Sequence, residues 1–274
     1  MSIYEQMPAA YPQQTAQQQH NARIEIAQQI VLAGLARSDF FSKAAFYGGT
    51  CLRIFHNLQR FSEDMDFSLM QTDENFARET YFPYIEREFE ALGRTVTITK
   101  KDKRTFGKVE SAFLKDNTEV VNIEFQTEKS LKIKIEVDTY PPLGFTTEQC
   151  LLYQPYPFYT SCIVPSDLFA GKMHALLFRQ WKSRVKGRDW YDFEWYVRFN
   201  VPLHFAHLQE RVRQCNGIEL TREQFVEMLR DKITHTDIND VRADVEPFLI
   251  GNLHNLDIWS NEYFLRIAEM IQFV

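Results

Sequence analysis

A chain of 274 residues, 45% of them apolar and with a formal charge of −6, can bury a sizeable core and does not hold nucleic acid through its overall field. No apolar run approaches the roughly 20 residues that cross a bilayer, and the N-terminus lacks the basic, apolar, small-residue order of a secretion signal. Cys51, Cys150, Cys162 and Cys215 show no CxxC or Cys/His ligand spacing, so free thiols in a reducing, cytoplasmic setting are expected.

Residues 1–20 are Gln-rich with Pro8 and Pro12 and are expected to be disordered. Ile24, Ile26, Ile30, Val31 and Leu35 recur at helical spacing and predict a helix over about 21–36. Residues 44–47 read as a short buried strand. Gly48 and Gly49 then turn the chain into a helix over 50–57, and 61–69 reads as a strand with Asp64, Asp66 and Ser68 on one polar face. A helix is expected over 74–92, with Pro83 kinking it or delaying its start. Strands follow over 95–99, 120–126 and 131–139. In the last, Leu131, Ile133, Ile135 and Val137 share one face, while Lys132, Lys134, Glu136 and Asp138 share the other.

Tyr140-Pro141-Pro142 ends that strand, and a Pro- and Tyr-rich connection runs to about residue 164. Helices are expected over 165–180, 188–199, 202–215, from the capping box Thr221-x-x-Gln224 to 232, and over 238–250 and 260–273. The order predicts a mixed α/β domain over 21–160 and an all-helical domain over 161–274. Two basic tracts stand out: Lys100, Lys101, Lys103, Arg104 and Lys108, and then Arg179, Lys182, Arg184, Lys186 and Arg188. Both suit solvated faces, but the second joins two helices that carry chemistry and could guide an acceptor strand.

Asp64 and Asp66 can bind a divalent hard cation through oxygen. A glycine turn opening a helix presents backbone N–H groups to an anion. Phosphate beside a divalent cation is what nucleotidyl transfer needs, and such sites use three carboxylates on adjacent strands. Glu136 is the candidate third, with Asp138 its competitor, and Lys134 on the same face can touch a phosphate oxygen. Lys172 lies on the helix after the connection, and Asp189 and Asp192 share a face of the next. An interhelical ion pair explains them, or Lys172 contacts the triphosphate or attacking group while Asp189 acts as base or orients Lys172. Arg53 and Arg60 suit either phosphate or a structural ion pair. His56 and His174 stand without ligand partners at metal spacing. Trp181, Trp190, Tyr191 and Trp195 read as packing core.

Gly48-Gly49-Thr50-x-Leu52-Arg53, Arg60-Phe61-Ser62-x-Asp64-x-Asp66-Phe67, Lys134-x-Glu136, Lys172 with Ala175, and Arg188-Asp189-x-x-Asp192 together resemble the motifs of the AbiEii/AbiGii-type nucleotidyltransferase toxins. These are bacterial members of the polymerase β-like nucleotidyltransferase superfamily. The resemblance covers about residues 24–199. It implies an α+β fold, a polymerase β-like mixed-sheet lobe followed by a helical lobe. It also implies an Mg²⁺-dependent enzyme (Mn²⁺ as alternative) using an NTP and an RNA acceptor, tRNA favoured, with an antitoxin protein encoded nearby. Carried over, Asp64, Asp66 and Glu136 hold metal and Gly48, Gly49, Thr50 and Arg53 hold nucleotide. Lys134 and Lys172 contact it too, and Asp189 belongs to the catalytic set. Many nucleotidyltransferases have Gly-Ser where this chain has Gly48-Gly49-Thr50, so that serine's phosphate contact falls to Thr50 or to backbone amides. Transfer to a protein hydroxyl, and a non-catalytic nucleotide-binding module, are the rival readings.

Overall fold

In the computed structural model, which describes residues 3–100, 118–126, 131–179, 185–251 and 256–274, contacts divide the chain into two units. The first comprises Met1–Asn57, Ser62–Pro141 and Thr147–Cys162, and the second Leu58–Phe61, Pro142–Thr146 and Ile163–Val274.

The first unit opens with the short helix α1 (Ile3–Gln6), a 3-10 turn and helix α2 (Ala16–Ala36). Tyr4 and Met7 are buried, and Thr15 caps α2. That cap is a Thr15-x-x-Gln18 box with both reciprocal hydrogen bonds, so the helix begins five residues before the start expected near 21. From Ala22 to Leu35 most of α2 is buried, the polar Glu25 and Gln28 included.

Strand β1 (Ala44–Tyr47), helix α3 (Gly48–Phe55) and strand β2 (Asp64–Leu69) form one continuous motif. Helix α4 (Phe82–Ala91) starts late, with Pro83 in its first turn where a missing N–H costs nothing. Strands β3 (Val96–Lys100), β4 (Thr118–Phe125) and β5 (Lys132–Asp138) follow. The connection expected to be irregular instead holds two strands, β6 (Thr147–Leu152) and β7 (Phe158–Ile163). All seven join one mixed sheet in the order β3-β4-β5-β2-β1-β7-β6. β2 runs antiparallel to β1 and parallel to β5. Its core holds Phe46 and Phe67, with Phe40 edge-on to Phe67 at 5.1 Å.

The second unit is helical: α5 (Pro165–Phe178), α6 (Gly187–Arg198), α7 (Phe205–Asn216), α8 (Arg222–His235), α9 (Ile238–Val245) and α10 (Asn261–Glu269). The expected capping box at Thr221 is present. Trp190, Phe193 and Tyr196 of α6 are buried with Phe169, Trp259 and Phe264. Trp190 and Phe264 meet edge to face at 5.0 Å, and Phe169 stacks on Tyr196 at 4.6 Å. The α+β class is therefore as expected, and no helix among the described residues is long and apolar enough to cross a membrane.

Candidate active site

The carboxylates expected to hold metal lie on neighbouring strands of the first unit. In the parallel pairing of β2 with β5, Asp64 faces Lys134, Asp66 faces Glu136 and Ser68 faces Asp138. Residues in register on adjacent strands point to the same side of a sheet, so Asp64, Asp66 and Glu136 share one face. The opposite face of β5 is buried, in the alternation expected. Asp138 lies one step further along, beside Ser68, and accepts a hydrogen bond from the Tyr140 N–H at 3.0 Å.

Three local devices fix this face. Gln28, wholly buried on α2, donates to the carbonyls of Ser62 and Glu63 at 3.0 and 2.9 Å and anchors the approach to Asp64. The Thr50 hydroxyl donates to the Asp64 carbonyl, tying the first turn of α3 to the start of β2. Tyr47 is in register with Asp66, which puts the next residue, Gly48, against the Asp66 carboxylate. Gly48 has φ +82°, and a Cβ there would strike the Asp66 carboxylate. Only glycine accepts both demands. The N-cap residue Tyr47 supplies no side-chain cap to α3, and the first-turn amides of a helix are groups that suit an anion. The Thr50 side chain is fully buried, its hydroxyl engaged by the Asp64 carbonyl.

Lys134 carries its ammonium to Glu136 in an ion pair. Burial alone would lower the Lys134 pKa, yet the neighbouring Asp64, Glu136 and Asp66 carboxylates outweigh it and raise it. The acidic face thus holds a built-in cation. Asp64, Asp66 and Glu136, all partly exposed on two adjacent strands, offer oxygen donors of the kind a hard divalent ion takes, but as placed they do not gather to within 4.8 Å of one another as His56, Glu148 and Cys150 do.

A second cluster belongs to the helical unit. Lys172 of α5 donates to Asp189 of α6 at 2.7 Å and pairs with Asp192 at 2.7 Å. Arg60 completes it with a fork onto Asp192, both contacts at 2.6 Å. Asp189, Asp192 and Arg60 are all at most 4% exposed. Burial would push both carboxyls up, but Lys172, Arg179 and Lys186 hold Asp189 well below the ordinary carboxylate range. Arg60 and Lys172 hold Asp192 below it in the same way. The interhelical ion pair is therefore real, and Arg60 braces Asp192 from within the fold. Lys186 is pulled down to about 8, chiefly by burial.

Arg53 is engaged by Glu25 of α2, its Nε 3.1 Å from both carboxylate oxygens, and Glu25 is buried. Its pair is thus internal rather than a surface one. His174 hydrogen-bonds Asn216 at 2.9 Å. Trp190, Tyr191 and Trp195 are buried core, as expected. Trp181, Lys182 and Arg184 lie outside the described residues, as does the first basic tract beyond Lys100. Composition and spacing gave no sign that His56 meets Glu148 and Cys150, because β6 was not foreseen.

The sequence profile of a family described as "Nucleotidyl transferase AbiEii toxin, Type IV TA system" matches residues 30–262. The match runs past residue 199, where the motif resemblance ends, and takes in most of the helical unit. No curated protein sequence matches the chain. Among solved structures it is similar to MenT4, a nucleotidyltransferase toxin from Mycobacterium tuberculosis H37Rv, with TM-score 0.61 and 14% identity over 98% of this chain and 88% of that one. It is also similar to JHP933 from Helicobacter pylori, with TM-score 0.54 and 16% identity over 91% of this chain and 89% of that one.

Proposed function

Since the chain belongs to the AbiEii family, nucleotidyltransferase toxins of type IV toxin–antitoxin systems, we propose that it transfers a nucleoside monophosphate from an NTP to an RNA acceptor, the 3′ end of tRNA being favoured. In this reading an antitoxin protein is encoded nearby, in a toxin–antitoxin or abortive-infection locus. The observation that carries the reading is the register of Asp66 with Glu136, with Asp64 two residues before, beside the Gly48 turn.

In the reaction an acceptor hydroxyl oxygen loses its proton to solvent and bonds to the α-phosphorus, the bond from that phosphorus to the α–β bridging oxygen breaks, and pyrophosphate leaves. Asp64, Asp66 and Glu136 would hold Mg²⁺ (or Mn²⁺), which when bound supplies charge neutralisation to the phosphates and the leaving group. The amides of Gly48, Gly49 and Thr50 bind phosphate at the start of α3. Lys134 gives up Glu136 and turns its ammonium to a phosphate oxygen. Lys172 contacts the triphosphate or the attacking group. Asp189 orients Lys172 rather than taking a proton, because cations hold its carboxyl well below the range of a useful base. Arg53 contributes through α3, which Glu25 fixes from α2.

The test uses purified protein, each labelled NTP in turn, Mg²⁺ and total RNA. Label is expected on RNA and should vanish with RNase. Asp64→Ala or Asp66→Ala should lower transfer about 10²-fold or more with an unchanged far-UV CD spectrum. Transfer that survives both substitutions would refute the metal assignment. Label that resists RNase and runs with protein would move the acceptor to a protein hydroxyl.

A further inference from the structure

We propose that His56, Glu148 and Cys150 form a second metal site, built for a zinc-class divalent ion and separate in its residues from the carboxylate face. One ligand atom from each (an imidazole nitrogen, a carboxylate oxygen and a thiol sulfur) lies within 4.8 Å of the other two. All three belong to the first unit. Glu148 and Cys150 are two apart on β6 and so project from the same face. His56 is the C-cap residue of α3, held by its N–H to the Leu52 carbonyl at 3.0 Å.

The second observation is an orphan. The His56 Nε2 is buried and has no hydrogen-bond partner among the described residues. A buried polar atom left unsatisfied destabilises the fold, and a cation that takes its lone pair removes that cost. Nitrogen, sulfur and oxygen donors together select zinc-like ions, whereas magnesium and calcium take oxygen alone. The two sites would therefore sort their metals by donor chemistry. Three protein donors leave one tetrahedral position open, and the exposed Glu148 gives an entry path. On binding, Cys150 loses its thiol proton to solvent. The ion would tie the last turn of α3, the helix that opens at Gly48, to the edge strand of the sheet.

The experiment strips the full-length protein with a chelator and titrates it with Co²⁺. One equivalent should give a thiolate-to-cobalt charge-transfer band in the near ultraviolet and visible d–d bands of four-coordinate intensity. Zn²⁺ should bleach both, and Mg²⁺ neither. The Asp64→Asn/Asp66→Asn double variant should keep the bands, so this site stands or falls apart from the proposed transferase site. Cys150→Ser should abolish the charge-transfer band, while His56→Gln and Glu148→Gln weaken Co²⁺ binding at least about tenfold. No thiolate band in the wild type, or a band that persists in folded Cys150→Ser, overturns the proposal. If Cys150→Ser fails to fold by CD, Glu148→Gln decides, since its side chain is exposed. Unchanged Co²⁺ affinity there overturns the proposal equally.

Discussion

Asp192 receives two cations at once, the Arg60 fork at 2.6 Å and the Lys172 ammonium at 2.7 Å. Removing one partner of such a buried set leaves an uncompensated charge, whereas replacing opposite partners together by apolar groups can be close to neutral. Asp192→Asn is therefore expected to lower unfolding free energy by about 3–5 kcal/mol in urea titration. An Arg60→Met/Asp192→Leu double variant should recover a large part of that loss. A double variant no better than the single one would mean that the cluster stabilises the fold in its own right. Asp189 shares the Lys172 ammonium with Asp192, accepting from it at 2.7 Å.

At the scale of elements, the strand–turn–helix of β1 and α3 depends on a single backbone conformation. Gly48→Ala adds a Cβ where φ is +82° and where the Asp66 carboxylate lies. The left-handed conformation alone costs roughly 1–2 kcal/mol, and the carboxylate must also move. Transfer activity is expected to fall at least about tenfold, since about 1.4 kcal/mol of misplacement in the transition state suffices, with CD helicity kept. Gly93→Ala is the control: φ there is +75° but nothing lies within 4 Å of an added Cβ, so strain should appear in stability and not in turnover. The elements that carry this motif were legible in the sequence. β1 and β5 declare themselves by burial and alternation, and Asp64 and Asp66 by their spacing of two. β6 was not legible, because Thr147-Glu148-Gln149-Cys150 has no apolar alternation and an edge strand needs little. β7 lay hidden behind Pro155 and Pro157. The pairing of Arg60 with Asp192 spans 132 positions, and no local pattern reports it. The same holds for Glu25 with Arg53 and for Gln28 with the Asp64 approach, where a polar residue inside an apolar helix was the sole sign.

For the molecule as a whole, Asp189 and Asp192 set part of the acid limit. Both carboxyls lie lower in the folded chain than in the unfolded one. Their stabilising contribution is thus complete above the ordinary carboxylate value near about pH 4 and is lost as pH falls through the folded values. The Tm of Asp189→Asn is expected below wild type at pH 7, since Lys172 loses a counter-charge. That gap should narrow as pH falls below about 4. A gap that stays constant in differential scanning fluorimetry would remove the linkage.

The four residues Leu58–Phe61 belong to the helical unit, while the chain on either side belongs to the sheet unit. A gene split near residue 160 would therefore strand Arg60 on the wrong fragment and deprive Asp192 of its guanidinium. The Phe61 N–H bond to the Phe248 carbonyl at 2.7 Å and the Ile250 N–H bond to the Gln59 carbonyl at 3.1 Å would be severed with it. The C-terminal half is thus no self-sufficient module that recombination could swap between relatives, because its ionic keystone is encoded upstream, in the short link between α3 and β2.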